Sequence, residues 1–213
     1  MGHSGTLDPF ASGLLVICAG RRATRIIPRL MDGDKEYEAV LRLGIETDTM
    51  DHEGEVLARR PVEAMTVERL QRCLAGFVGP QQQAPPPFSA LKHKGKPLYY
   101  YARRGITVTK APRPIEIKAI EYLAFTGEQV TIRVKCGKGT YIRSLAADIG
   151  RELECGAHLV GLRRLRNGLF SVADSIAGDR LAEREEGRQL LLRSRLAVEE
   201  VEEMLAGQGE GTK

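Results

Sequence analysis

One carboxylate, Asp8, stands in the glycine-rich run Gly2-His3-Ser4-Gly5-Thr6-Leu7-Asp8-Pro9, and an apolar stretch, Gly13-Leu14-Leu15-Val16-Ile17-Cys18, follows it. Glycine lets the backbone enter conformations that other residues avoid. Pro9 fixes its own φ and steers Asp8 away from the helical region. A carboxylate on such a turn, at a sheet edge, is well placed to act as a nucleophile. Taken alone, an Asp in a turn is usually an Asx-turn residue, so the rest of the chain has to decide.

A second constellation is Lys138-Gly139-Thr140-Tyr141-Ile142-Arg143. Arg143 falls in the first turn of the helix that starts here, where the macrodipole disfavours a cation by about 0.3–1 kcal/mol. A rule broken in this way predicts a partner anion, and Asp8 is the candidate: an Arg–carboxylate pair would keep it ionised and aimed. A plain surface Arg is the alternative. Gly137-Lys138-Gly139-Thr140 lacks the spacing of a phosphate loop. Tyr37, opening a strand at Lys35-Glu36-Tyr37, is either a core ring with its hydroxyl at the rim or a platform for a flat ligand. His3 is a turn residue or, beside Asp8, a wedge that imitates a base or a general acid. Asp48, Asp51, His52, Glu53 and Glu55 lack the order of an EF-hand loop and read as a solvated acidic turn. Leu162 is a core strand residue, with Arg163, Arg164 and Arg166 as rim cations.

The elements that must position these groups follow from periodicity and turn chemistry. Residues 13–19 read as a buried strand and Arg22–Met31 as a short basic helix. Tyr37, Ala39, Leu41 and Leu43 alternate as in a half-buried strand, and Glu55–Arg59 resumes one after the polar turn. Thr66 caps a helix to about Leu74. Seven prolines between Pro80 and Pro114 predict an extended arm, helical only at Leu98–Arg104. Ile115–Phe125 and Val130–Cys136 pair antiparallel, with Val130, Ile132 and Val134 on one face. Thr140 caps a helix striped by Ile142, Leu145, Ala146, Ile149 and Leu153, and another strand covers about His158–Leu165. The tail from Asp179 is charged, weakly helical and frayed at its glycine-rich end. The pattern is α+β, with a mixed, largely antiparallel sheet flanked by helices.

The chain has 213 residues, 42% hydrophobic and 28% charged, enough for one large domain with a real core. No run reaches the roughly 18–20 apolar residues of a membrane span, and no signal peptide is visible. Cys18, Cys73, Cys136 and Cys155 are widely spaced and read as reduced thiols of a cytoplasmic protein; no metal site is expected. Net charge is only +4, but it is segregated. Between Glu68 and Glu116 there is no acid, while Arg69, Arg72, Lys92, Lys94, Lys96, Arg103, Arg104, Lys110 and Arg113 all fall there. Such a block suits a phosphate backbone. Tyr99, Tyr100 and Tyr101 beside Arg103 and Arg104 add stacking groups that looped RNA would use.

Together these motifs resemble the TruB family of tRNA pseudouridine synthases. The Asp8 run is similar to the family's catalytic motif and Lys35-Glu36-Tyr37 to its second. Leu43-Gly44 with Thr47-Asp48-Thr49 and Asp51 is similar to its acidic turn. Ser89-Ala90-Leu91-Lys92, Gly95-Lys96 and Tyr101-Ala102-Arg103 resemble its RNA-gripping arm, and Lys138–Arg143 and Cys155-Gly156-Ala157-His158 match further motifs in order. The resemblance covers residues 1 to about 170. It implies a catalytic domain over 1–178 with an arm at about 80–114, and a short charged tail over 179–213 without the PUA domain that many members carry. Members also have a few dozen residues before the Gly-His motif, so an early core strand and some RNA contacts are expected to be missing.

The resemblance implies isomerisation of uridine 55 in the T loop of tRNA, with no cofactor and no metal. Asp8 would be the acting carboxylate, Arg143 would hold it charged, and Tyr37 would stack on the flipped uracil. Leu162 would wall the site, and His3, Tyr141, Lys92, Lys94 and Arg104 would bind the RNA. The expected partner is the tRNA T-arm alone: no guide RNA, no membrane, a monomer. Whether Asp8 adds to C6, attacks C1′ or removes the C2′ proton stays open. A non-catalytic RNA-folding factor and a glycoside hydrolase are the rival readings, the latter needing a second acid near Asp8.

Overall fold

The computed structural model, which describes residues 1–63, 65–106 and 108–207, divides the chain into two units, Met1–Lys35 with Arg164–Lys213 and Glu36–Arg163. In the smaller unit the N-terminal motif is closed by short pairings. β1 (Gly2–His3) runs antiparallel to β3 (Ile17–Cys18), and β2 (Ser12–Gly13) lies between them in sequence. The continuous buried strand expected over 13–19 does not form. Leu14 and Cys18 are buried, but Leu15 and Ile17 are exposed, and the backbone here bonds to loop partners: Ser4 N donates to Val16 O at 3.0 Å. The basic helix is two, α1 (Gly20–Arg25) and α2 (Ile27–Asp32), parted at Ile26. Pro28 explains the break, since proline is tolerated in a first turn but not inside a helix.

The larger unit is built on a sheet. β4 (Lys35–Leu43) shows the expected alternation, with Ala39, Leu41 and Leu43 buried and Arg42 exposed. β5 (Ile45–Thr47) and β6 (Val56–Arg59) pair antiparallel around the acidic turn. α3 (Val67–Gly76) is capped by Thr66, whose hydroxyl accepts from Arg69 N at 3.2 Å, and it buries Leu70 and Leu74. The proline-rich segment begins as β7 (Gly79–Gln83), continues through the small hairpin β8 (Lys92–His93) and β9 (Lys96–Pro97) into α4 (Leu98–Ala102), and returns in β10 (Arg113–Thr126). β7 pairs with residues 113–117 of β10, so both roots of the arm are strands rather than extended coil. Pro80 is compatible because β7 ends the strand order, where a missing donor is harmless.

β11 (Gln129–Cys136) pairs antiparallel with β10 as expected, and Val130, Ile132 and Val134 are buried together. α5 (Ile142–Glu152) buries Ile142, Leu145, Ala146 and Ile149. Its cap differs from expectation. Tyr141 is the N-cap residue and its side chain does not cap the helix, while Thr140 Oγ1 donates to Gly137 O at 3.2 Å. Gly150 lets the helix lie against the next strand, because a Cβ there would overlap Ala157 N. That strand, β12 (Ala157–Asn167), completes the order β12–β4–β11–β10–β7. The architecture is α+β with a mixed, largely antiparallel sheet.

From Arg164 onward β12 belongs to the smaller unit, where β13 (Phe170–Ser171) pairs with Arg166 and Asn167. α6 (Arg184–Ser194) and α7 (Val198–Gly207) follow. The charged tail is therefore more ordered than its composition predicts. α7 packs Val201 with Cys18, Ile26 and Leu30, while Glu199 pairs with Arg22 and Glu202 lies 3.8 Å from Arg29. The acidic run at 199–203 thus docks on the basic helices. The frayed end expected over 208–211 lies outside the described residues.

Candidate active site

In the smaller unit Asp8 is half-buried and opens a turn whose second residue is Pro9. Its carbonyl accepts from Ala11 N at 2.9 Å, the position that a β-turn gives to Asp followed by Pro. His3 is exposed on β1, opposite Ile17. The expected rim cation Arg164 is instead buried, 1% exposed. The reason is strand period: two residues after Leu162, it shares the face that Leu162 buries. Asn167, also buried, donates Nδ2 to Ser4 O at 2.8 Å. Neither residue stands out among the expected site residues.

In the larger unit Arg143 is buried and surrounded. Nη1 donates to Thr49 O at 3.1 Å and Nη2 to Phe88 O at 2.7 Å, and Nη1 lies 3.4 Å from Asp51 Oδ2. Asp51, a residue of the acidic turn, thus sets one anion beside Arg143 at the start of its helix. Asp51 corrects the solvated reading of that turn, being 4% exposed. Its carboxylate also accepts from Thr49 Oγ1 at 2.5 Å and Glu53 N at 3.1 Å, so its lone pairs are met as burial of a charge demands. Asp48 accepts from Glu55 N at 2.8 Å and closes the turn. Among the described residues no group of three or more His, Cys, Asp or Glu is placed to hold a metal ion.

The first turn of α5 also holds the root of the arm. Ser144 Oγ donates to Ala84 O at 3.1 Å, beside the Arg143–Phe88 bond. Gln83 and Tyr141 exchange two hydrogen bonds: Tyr141 N donates to Gln83 Oε1 at 2.8 Å, and Gln83 Nε2 to Tyr141 O at 3.1 Å. Gln83 carries no chemical signature in sequence, and only its pairing with the α5 cap reveals it. Tyr37 is half-buried on β4, and Leu162 lies on β12 at 9% exposure.

On the arm, Lys92 is exposed and Lys94 stands at the hairpin tip, where Lys94 and Gly95 both take positive φ, 47° and 81°. This is the two-residue turn that the twist of paired strands favours. Tyr100 sits between two cations: Lys96 Nζ is 4.1 Å from its ring centroid and the Arg104 guanidinium 3.6 Å. Lys96 donates to Tyr100 OH at 2.8 Å and holds the phenol below its usual range. Arg103 lies 5.6 Å from the exposed Tyr99 ring. Tyr101 is the packing member of the triplet, donating its hydroxyl to His93 O at 3.0 Å. Lys92, Lys94 and Arg104 are thereby displayed on one small scaffold.

His158 is buried, with Nδ1 at 3.0 Å from Ile45 O, a distance that fits a donating N–H and a neutral ring. Burial, the largest cause, pushes its pKa below the ordinary 6.5, aided by Arg42 and His52 against the Ile45 carbonyl and Asp51. The unfolded chain takes up this proton more readily than the folded one. The stability contributed by the neutral ring is therefore complete above the unfolded value and lost as pH falls through the lowered folded value. Thermal melts taken from about pH 7.5 to about 5 should fall more steeply for this protein than for His158→Asn, which keeps an N–H donor but cannot titrate. Equal slopes would remove His158 from the acid sensitivity.

Comparison with known proteins bears directly on this arrangement. Residues 1–142 match the description "TruB family pseudouridylate synthase (N terminal domain)" and residues 143–206 match "tRNA pseudouridylate synthase B C-terminal domain". Proteins named tRNA pseudouridine synthase B are similar over most of the chain. One from Desulfotalea psychrophila is 52% identical over 211 residues, covering 96% of this chain and 85% of the relative. One from Francisella philomiragia is 51% identical over 181 residues, 84% of this chain and 60% of the relative. Among solved structures, a Cbf5-Nop10-Gar1 complex aligns with a TM-score of 0.62 and 32% identity over 84% of this chain. An H/ACA RNP bound to a substrate RNA containing 2′-deoxyuridine gives 0.56 and 28% over 82%. The chain spans less than half of those solved chains, 44% and 41%. On matches that run through both of its units, the chain belongs to the TruB family of pseudouridylate synthases.

Proposed function

We propose that this chain converts uridine 55 in the T loop of tRNA to pseudouridine, taking the base out of its stack and acting on it with a single carboxylate. The Asp8 turn carries the reading: a half-buried carboxylate on a closed turn, in a chain that belongs to a family of pseudouridylate synthases. In the reaction the N1–C1′ bond breaks and a C5–C1′ bond forms. The C5 hydrogen leaves as a proton and N1 gains one. Nothing is oxidised and no water is added, so one carboxylate can serve where a glycosidase needs two. Asp8 is the acting carboxylate, Arg143 the cation of the site, Tyr37 the ring that stacks on uracil, and Leu162 part of the wall that excludes water. Flipping the base costs a few kcal/mol, and His3 supports it by filling the vacated stack.

The arm supports RNA binding, because its exposed cations meet a phosphate backbone by counterion release. Replacing Lys92, Lys94 and Arg104 by alanine is expected to weaken binding of a tRNA transcript and to flatten the plot of log affinity against log salt by about one unit per lost phosphate contact. An unchanged slope would take these residues off the RNA.

Tritium release from 5-labelled uridine in an unmodified tRNA transcript tests the reaction itself. Tritium in water with all uracil retained in the polymer identifies the isomerase. Free uracil identifies a hydrolase instead, and neither product, with binding intact, identifies a non-catalytic RNA-folding factor.

A further inference from the structure

A guanidinium is costly to bury unless its donors are met, yet Arg164 is among the most fully buried side chains of this protein. Its donors go to the two flanks of the segment that carries Asp8. Nε donates to Leu14 O at 2.8 Å and Nη2 to Gly5 O at 3.1 Å. The main chain of the same residue completes the clasp, since Arg164 O accepts from Leu14 N at 2.9 Å. Gly13 must be glycine for this: its φ is +97°, and a Cβ would overlap the Arg164 backbone. Asn167 reinforces it by donating to Ser4 O at 2.8 Å and Ser4 Oγ at 3.1 Å. The end of β12 thus grips residues 4, 5, 13 and 14. The stretch between them is closed on itself by the Ala11 N to Asp8 O bond.

Any single donor would tether the loop to β12. A flat, two-pronged cation does more, because it fixes the spacing and relative orientation of the two carbonyls it bridges. We infer that Arg164 is a positioning residue of the reaction: by holding Gly5 and Leu14 on one rigid fork it aims the Asp8 carboxylate, and it governs turnover rather than RNA affinity. The inference rests on the reading of Asp8 as the acting carboxylate. Lysine is the informative replacement. It keeps the charge and much of the stem, but an ammonium is a point donor and cannot set both carbonyls at once.

The experiment compares the full chain with Arg164→Lys. Single-turnover pseudouridine formation, affinity for an unmodified tRNA transcript, and amide hydrogen exchange are measured on each. Turnover is expected to fall about 100-fold, the order that a small misplacement of a reacting group costs, with affinity within about twofold, as for a group that acts only on the chemical step. Exchange over Gly5–Ser12 should be about tenfold faster, while the β10 and β11 amides keep their protection, as in a local opening. Normal turnover or normal loop exchange in Arg164→Lys overturns the inference. So does a general loss in which core protection, affinity and rate fall together, the behaviour of a merely structural arginine. Should the unaltered chain make no pseudouridine, the functional reading fails by that control, and loop exchange alone decides whether Arg164 fixes the loop.

Discussion

Asp8→Asn is expected to reduce pseudouridine formation on the order of 10⁴-fold or more, the scale seen when the reacting group of an enzyme is removed. Affinity for tRNA should stay within about threefold, because in the proposed function the cations of the arm, not Asp8, meet the phosphates. The asparagine keeps the size and turn preference of the aspartate, so the bond from Ala11 N to the residue 8 carbonyl is not disturbed. What changes is the charge and basicity of one side chain. Single-turnover kinetics with quenched product analysis, beside filter binding of the same transcript, check both halves. A variant that keeps its rate would remove Asp8 from the chemistry, and one that loses binding would make it a folding residue.

The second large effect concerns Arg143 and Asp51, whose side chains are 6% and 5% exposed and 3.4 Å apart. Removing one member of a buried pair strands the other charge, at a cost of about 3–5 kcal/mol. Arg143→Met should therefore lower the melting temperature by roughly 10 °C for a chain of this size. It also frees the carbonyls of Thr49 and Phe88 that Arg143 satisfies. Asp51→Leu should destabilise as well, because it takes a carboxylate away from a guanidinium that is itself buried. The double variant Arg143→Met/Asp51→Leu is expected to be more stable than the sum of the single losses by at least about 1.5 kcal/mol, since the two facing charges are removed together. Stability can return in this way while activity does not, because the pair also joins the acidic turn to the root of the arm. Additive melting shifts would show that the two charges are not coupled.

Much of the frame is legible from local pattern. The alternation at Ala39, Leu41 and Leu43, the face shared by Val130, Ile132 and Val134, and the Thr66 cap depend on residues within a turn or a strand of one another. Burial of a charged residue does not. Asp51 stands among Asp48, Glu53 and Glu55, and Arg164 between Arg163 and Arg166, so composition places both at the surface. The partners that bury them, Arg143 for the first and the carbonyls of Gly5 and Leu14 for the second, lie far away in the chain. For Arg164 a signal was present: the period of two that buries Leu162 also turns Arg164 inward. For Asp51 the cue was weaker, a Thr two residues before it able to cap its carboxylate. The docking of α7 is masked for the opposite reason, because a run of glutamates hides the apolar stripe Val198, Val201 and Leu205 that seats it.

Position-resolved mapping of pseudouridine in an unmodified tRNA transcript, after incubation with the full chain alone, tests the proposed function most directly. One modified site at uridine 55, formed without cofactor, metal or guide RNA, is the predicted result. An unmodified T loop, with binding intact and the chain folded, would contradict it.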